Sequence, residues 1–106
     1  MAKIDLRAQD QARINQLARE TFSPGTEIRA YGSRIKGTNH DASDLDLTVL
    51  APPEMDEHDA LEQVDQFHQA LVDSCIPIIV QVSAWSRLPA RFQQRIDERY
   101  EVLIVV

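Results

Sequence analysis

The stretch Tyr31-Gly32-Ser33-Arg34-Ile35-Lys36-Gly37-Thr38 … Ser43-Asp44-Leu45-Asp46-Leu47 decides the fold predicted for this 106-residue chain. Apolar and polar residues alternate over 26–31 and again over 44–50, which predicts a half-buried strand on each side of a polar turn. We expect these two strands to pair as antiparallel neighbours. The turn opens on a Gly-Ser pair, and the second strand opens on two aspartates separated by a leucine.

Outward from this stretch, the apolar patterns predict three helices and one or two more strands. Apolar residues recur at helical spacing in three segments: 5–21, 56–73 and 88–99. The β-prone run 77–82 predicts a third strand, and the apolar residues 102–106 form either a final strand or a surface for a partner. The predicted fold is α+β (mixed α/β), with a small mixed sheet of three to four strands, helices packed on one face, and a single domain over residues 1–106.

Composition narrows the class of protein. Hydrophobic residues make up 43% of the chain and charged residues 26%, which is typical of a globular domain and too apolar for disorder. The net charge of -6 argues against a protein that holds nucleic acid by neutralising its phosphates. No segment resembles a signal peptide or approaches the ~20 apolar residues of a membrane span, so we expect a cytoplasmic protein without membrane contact. The single cysteine, Cys75, lies beside Ile76 and is expected to be a small buried side chain.

The two aspartates, Asp44 and Asp46, are candidates for a metal site. Residues two apart on a strand leave the same face, so both carboxylates come within reach of one cation. Held together, they repel each other unless a proton or a cation lies between them. Mg²⁺ prefers carboxylate oxygens and completes its shell with waters and substrate phosphates. The alternative from the residues alone is a pair of solvated acids that only improve solubility.

Gly32 and Ser33 are candidates for phosphate binding. Glycine lets the backbone approach a phosphate, and a serine hydroxyl and nearby N–H groups donate to phosphate oxygens. Arg34 and Lys36 add positive charge nearby, although a solvated-loop role is about equally favoured for either. Together with the two acids, the turn predicts one cleft that holds both phosphate donors and metal ligands.

The combined pattern Gly32-Ser33 … Asp44-Leu45-Asp46 resembles the motif of the DNA polymerase beta-like nucleotidyltransferase superfamily, in which a Gly-Ser pair precedes an Asp-x-Asp pair. The small size and the order of helices and strands resemble its minimal nucleotidyltransferase (MNT) branch. Members of that branch commonly serve as antitoxins beside HEPN-domain ribonuclease toxins. The resemblance implies a nucleotidyltransferase fold, ATP as substrate, two Mg²⁺ ions, and a HEPN-family toxin as partner in a hetero-oligomer.

The resemblance also assigns roles to the candidate residues. Two acids would be both catalytic and metal-binding: Asp44 and Asp46. Nucleotide phosphates would be bound by residues of the turn and its end: Gly32, Ser33, Arg34, Lys36 and Ser43. One ion would accompany the triphosphate and the other would activate the attacking hydroxyl. By resemblance, that hydroxyl belongs to a tyrosine of the toxin.

The chain departs from the family at the third carboxylate. The family places an acid on the next strand, and the matching stretch Val80-Gln81-Val82-Ser83-Ala84-Trp85 has Gln81 at that position. An amide is neutral and ligates through one oxygen, so Gln81 is a degenerate catalytic position. Of the two ions, the one that activates the hydroxyl should be bound less well as a result. Two functions therefore stay open: an antitoxin that transfers AMP to its toxin, and a catalytically decayed module that acts by binding alone.

Overall fold

The computed structural model describes residues 4–36 and 44–106 and has a four-stranded sheet at its centre. Its strands, in chain order, are β1 (Glu27–Tyr31), β2 (Leu45–Leu50), β3 (Val80–Ala84) and β4 (Glu101–Val105). Its helices are α1 (Ala8–Thr21), α2 (Ser33–Lys36), α3 (Glu57–Asp73) and α4 (Ala90–Glu98), with a short 3-10 turn at Trp85–Arg87 before α4. The mixed α+β class predicted from the sequence is confirmed.

The strands lie in the order β3-β2-β1-β4. As predicted, β1 pairs antiparallel with β2, and it also pairs antiparallel with β4, so the apolar residues near the end of the sequence form a strand. β3 runs parallel to β2 because the long helix α3 connects them and returns the chain to the same end of the sheet. The central strand β1 therefore leads into the Gly-Ser turn. Its neighbour β2 contains Asp46 and directly follows Asp44.

One face of the sheet packs against α1 and α3. The residues of β1 and β2 that face these helices are buried: Ile28, Ala30, Leu45, Leu47 and Val49. From the helices, Ile14 and Phe67 are completely buried in the same core. Burial of one such side chain contributes roughly 1.5–3 kcal/mol. The core also fixes the strand register, because a shift by one residue would turn every buried side chain to the other face.

The opposite face of β1 carries polar and aromatic side chains. The Arg29 guanidinium forms ion pairs with Glu27 and with Asp97 of α4. It also lies over the rings of Trp85 and Tyr100, with 5.3 and 4.2 Å between the guanidinium carbon and the ring centroids. These contacts hold α4 and the turn before it against this side of the sheet.

A second contact on this face joins β1 to α4. The ring of Tyr31 meets the ring of Phe92 edge-on, with centroids 5.8 Å apart. The prediction that the helices pack on one face therefore describes α1 and α3, whereas α4 contacts the other face. The physical reason is that Arg29 and Tyr31 alternate with the buried residues of β1 and give α4 an ionic and aromatic surface to pack on.

Three local details differ from the sequence-based expectation. α1 begins at Ala8 because the main-chain N–H of Asp5 donates to the Arg34 carbonyl, 2.9 Å away, instead of entering the helix. β3 covers Val80–Ala84, not 77–82, because its ladder begins where Val80 pairs with Leu45. Cys75 is exposed, not buried, since it lies in the connection between α3 and β3. Among the described residues, none of the helices has the length and apolar character needed to cross a membrane.

Candidate functional site

The register of the three adjacent strands β1, β2 and β3 places Asp46 between a residue of β1 and a residue of β3. Asp46 on β2 lies opposite Tyr31 of β1 and beside Gln81 of β3. The residues on either side of Asp46, Leu45 and Leu47, are fully buried in the core. Asp46 therefore leaves the sheet on the opposite face, which is the face that α4 contacts.

Asp44 and Asp46 form a half-buried acid pair at the start of β2. Burial raises the pKa of the Asp46 carboxyl above its usual value, and the negative charge of Asp44 raises it further. Both causes penalise the ionised form, and a divalent cation between the two side chains would relieve the repulsion. The residues present therefore fit one cation, which Asp44 and Asp46 would hold.

Gly32 lies directly against one member of this acid pair, Asp46. Its φ of +89° lies in the left-handed region, and a Cβ added there would lie 2.6 Å from Oδ2 of Asp46. Real Cβ contacts are essentially never that short, so with another residue the Asp46 carboxylate would have to move. The positive φ favours glycine independently. The structure thus places the backbone of Gly32 against Asp46, and we call the place where this turn meets the Asp44–Asp46 pair the cleft. Phosphate binding by Gly32 stays a prediction.

Gln81 contacts the other member of the acid pair. Its amide Nε2 donates a hydrogen bond of 2.9 Å to Oδ2 of Asp44. An ionised carboxylate only accepts hydrogen bonds, so the amide presents its nitrogen, not its oxygen, to Asp44. The residue at the third position of the motif therefore donates to an acid at the site and holds no negative charge of its own.

The remaining predicted nucleotide-binding residues lie in different surroundings. Arg34 is only 7% exposed, and its Nη1 donates to the main-chain carbonyl of Asp5 over 2.8 Å. This burial favours a structural role for Arg34, tying α2 to the segment before α1, over the predicted phosphate contact. Ser33 and Lys36 begin and end α2, and the roles of their side chains stay predictions. Ser43 lies outside the described residues.

Tyr31 is a neighbour of the site that the sequence analysis did not single out. Burial raises the pKa of its phenol, a hydrogen bond with Ser83 opposes that change, and the charge of Asp46 adds to the rise. The phenol therefore stays protonated near neutral pH. Its position directly before Gly32 could have pointed to the site. However, aromatic residues are common at the ends of strands and do not by themselves indicate a functional role.

A cavity of about 230 Å³ extends from the Gly-Ser turn to α4. Its lining combines aromatic, aliphatic and basic side chains with the turn backbone: Tyr31, Gly32, Phe92, Arg95, Ile96 and Arg99. Phe92 is 40% exposed there, and Arg99 donates to the Ile35 carbonyl of α2 over 3.0 Å. The sequence pattern of 88–99 predicted only a helix, so this cavity could not be predicted before the position of α4 was known.

A second cluster of side chains that could bind a metal ion lies away from the cleft, at the start of α3. Asp56, His58 and Asp59 bring one ligand atom each within 4.8 Å of one another, and all three residues are exposed. Exposed acids at the first turn of a helix are ordinary, because they favour its positive end. We therefore do not treat this group as a site.

Comparison with protein families gives a match over most of the chain. The model of the family described as "Poly(A) RNA polymerase, mitochondrial-like, central palm domain" matches residues 1–98. A relative by sequence, the probable protein adenylyltransferase MntA of Haemophilus influenzae, is 26% identical over 102 residues, which are 96% of this chain and 85% of that protein. The match therefore includes both the Gly-Ser turn and the strand that bears the aspartates.

Two solved structures share the fold. A crystal structure of a toxin–antitoxin with AMP-PNP aligns with a TM-score of 0.61 and 24% identity, covering 91% of this chain and 73% of the matched one. A re-refined structure of the tri-AMPylated Shewanella oneidensis HEPN toxin in complex with its MNT antitoxin aligns with a TM-score of 0.58 and 19% identity. That alignment covers 95% of this chain and 74% of the matched one. At these identities the likeness is one of fold.

Proposed function

From the premise that this chain belongs to the family of the mitochondrial-like poly(A) RNA polymerase central palm domain, we propose that it is an MNT-type antitoxin with a Mg-ATP site. It would neutralise a HEPN-family toxin by forming a complex with it in the cytoplasm. The assignment to the nucleotidyltransferases that the Gly-Ser and Asp-x-Asp motif predicted is confirmed by the family match. The proposal adds the ligand, the partner and the mode of action in this particular chain.

The observation that supports the ligand is the approach of Gly32 to Asp46. A backbone turn whose glycine has a positive φ lies against a carboxylate whose ionised form is penalised by burial and by Asp44. Such a place suits a cation bound on one side and a phosphate on the other. When bound, Mg²⁺ would neutralise the phosphates and polarise them toward attack. Asp44 and Asp46 would hold the ion, and the turn backbone would orient the phosphates.

The cavity beside Gly32 is the proposed place for the nucleoside end of the ligand. Its 230 Å³ is smaller than the roughly 300–1,000 Å³ of pockets that enclose a whole drug-sized ligand. It therefore suits one part of a nucleotide. Aromatic rings and guanidinium planes are surfaces on which bases stack, and both line this cavity in Phe92 and Arg95.

The toxin partner is proposed by analogy with relatives. A relative that covers nearly the whole chain is named a probable protein adenylyltransferase, and two structures of the same fold are toxin–antitoxin complexes, one with an AMPylated HEPN toxin. As the resemblance of the motif implies, the acceptor of AMP would be a tyrosine hydroxyl of the toxin. Formation of the complex is proposed as the main mode of neutralisation.

The second candidate is a binding-only antitoxin, and one contact favours it. Gln81 donates to Asp44, so the third position contributes a hydrogen-bond donor where a transferase needs another negative charge. An amide neither neutralises a metal ion nor accepts the proton of an attacking hydroxyl. Removal of one group from a catalytic constellation commonly lowers the rate by orders of magnitude. We therefore expect AMP transfer by this chain to be slow or absent while the complex still forms.

Co-expression with a HEPN-family toxin tests both parts of the proposal. We expect the two proteins to copurify and the growth defect caused by the toxin to disappear. Incubation with α-labelled ATP and Mg²⁺ should label the toxin weakly, and Gln81→Asp should increase the label. Gln94→Asp, which adds the same charge at an exposed position of α4, should not.

Each outcome separates the alternatives. Strong labelling by the wild-type chain that disappears in Asp44→Ala would overturn the binding-only candidate. Absence of labelling in both wild type and Gln81→Asp, with full rescue of growth, would support it. Failure to copurify or to rescue growth would overturn the antitoxin proposal itself.

A further inference from the structure

We infer that the Gln81 amide takes the place of a second cation, so that the cleft holds a single divalent ion per chain when a nucleotide is bound. This inference rests on the proposed Mg-ATP site and specifies its metal content.

The hydrogen bond from Gln81 defines which carboxylate atoms are free. Its Nε2 lies 2.9 Å from Oδ2 of Asp44, a normal length for an N–H donor to a carboxylate. An ion that used this oxygen on the Gln81 side would have to displace the amide. The second oxygen of Asp44 and the carboxylate of Asp46 are free of that bond.

The position of Gln81 makes the contact a property of the sheet. Gln81 pairs with Asp46 in the parallel ladder between β2 and β3, so its Cα is held one strand away from the acid pair. Its side chain is exposed and reaches across the strand to Asp44. The amide donor is thus presented by the backbone register, with no rearrangement of either strand.

The charge that the protein supplies is consistent with this count. Asp44 and Asp46 contribute two formal negative charges, which one divalent cation balances. A second ion about 3.5–4 Å away would depend on the nucleotide phosphates for its further anionic ligands. Within residues 4–36 and 44–106, the one group of three or more potential ligand residues is Asp56, His58 and Asp59, and it includes neither acid of the cleft.

Manganese is the probe for this inference because its spin reports both the number of ions and their spacing. The protein is saturated with Mn²⁺ and AMP-PNP, freed of unbound ligand by ultrafiltration, and assayed for metal and nucleotide per chain. We expect one Mn²⁺ per bound nucleotide and the six-line spectrum of an isolated ion. In Gln81→Glu, which keeps the reach of the side chain and adds a carboxylate, we expect two ions and a spectrum broadened by spin coupling.

The matched control is Gln94→Glu, which adds the same charge at an exposed position of α4 outside the cavity lining. It should keep one ion, and circular dichroism should show that both variants are folded. Two coupled ions in the wild-type chain would overturn the inference and leave the proposed function standing. One ion in Gln81→Glu would overturn the role given to Gln81. A wild-type chain that retains neither nucleotide nor Mn²⁺ would overturn the proposed site itself.

Discussion

At the scale of single residues, the cleft depends on two positions whose chemistry conflicts with stability. Gly32 holds a backbone conformation that other residues rarely adopt, and Asp46 holds a charge that burial and Asp44 both disfavour. Neither feature improves the packing of the core. Both are understandable if the cleft is kept for a bound cation and phosphate, since functional sites are where such strain is tolerated.

Gly32→Ala should abolish binding of Mg-ATP and lower the free energy of unfolding by about 1–3 kcal/mol, because the new methyl group meets the Asp46 carboxylate and φ is positive. Gly25→Ala is the matched control: φ there is +94°, but the added Cβ meets only the Pro52 ring, at 3.4 Å. It should destabilise the fold and leave nucleotide affinity unchanged. Urea denaturation and isothermal calorimetry measure the two quantities, and equal losses of affinity in both variants would contradict the role of the cleft.

Asp46→Asn should stabilise the metal-free protein at neutral pH. The pKa of Asp46 is raised in the folded state, so the folded protein binds its proton more tightly than the unfolded chain does. Stability from this group is therefore present at low pH and is lost as pH rises from the ordinary carboxyl pKa near 3.8 through the raised value. The variant should have a higher melting temperature than the wild type at pH 7. Its stability should also fall less than that of the wild type as pH rises over that range.

The same variant should lose the stabilisation that Mg-ATP gives the wild type, because a neutral amide at this position no longer balances the cation. Asp65→Asn, at an exposed position of α3, is the control and should change neither property. Thermal melts with and without Mg-ATP make the comparison. A fall in the metal-free melting temperature of Asp46→Asn would contradict the prediction.

At the scale of elements, α4 forms one wall of the cavity beside Gly32. It is held on the far side of the sheet by Arg29 and Tyr31, and it contributes Phe92 and Arg95 to the cavity beside Gly32. Its sequence predicts a helix but not this placement, because helical spacing defines which face is apolar and not which layer covers it. The Arg29 contacts with Asp97, Trp85 and Tyr100 supply that missing information.

Arg95→Ala should weaken nucleotide binding by about tenfold, roughly 1.4 kcal/mol, with little effect on stability, because the side chain is exposed at the cavity and outside the core. Arg91→Ala removes an equally exposed arginine of α4 that does not line the cavity. Calorimetric titration with AMP-PNP and Mg²⁺ compares the two variants. Equal affinities in both would show that the effect is one of overall charge and would contradict a contact in the cavity.

At the scale of the whole molecule, one layer of apolar contacts holds the two central strands against α1 and α3. Phe67 of α3 is completely buried, with its ring 4.9 Å from that of Phe22. Phe67→Ala should lower the free energy of unfolding by about 3–5 kcal/mol through loss of burial and creation of a cavity. Phe92→Ala removes the same atoms from a partly exposed ring and should cost about 1 kcal/mol. Chemical denaturation measures the free energy of unfolding of both variants. A larger decrease for Phe92→Ala than for Phe67→Ala would contradict the assignment of the core.

The sequence predicted the parts of this molecule that depend on alternation and spacing. The β1 and β2 strands follow from the alternation around Ile28 and Leu47, and the unusual third position follows from the alignment that ends at Trp85. The burial of Arg34 and the exposure of Cys75 could not be predicted, because each depends on contacts between segments far apart in the chain. The single domain over 1–106 stays a prediction.

The pairing of β1 with β4 has a consequence for how the protein is made. Ile28 pairs with Ile104, and the main chain of Gly25 and Thr26 bonds to that of Val106. On the ribosome, β1 emerges early and keeps an open edge until β4 has left the exit tunnel. Such distant pairings slow folding and leave a nascent strand prone to association. The fold, and any protection that depends on it, therefore becomes available only after β4 has been synthesised and has left the tunnel.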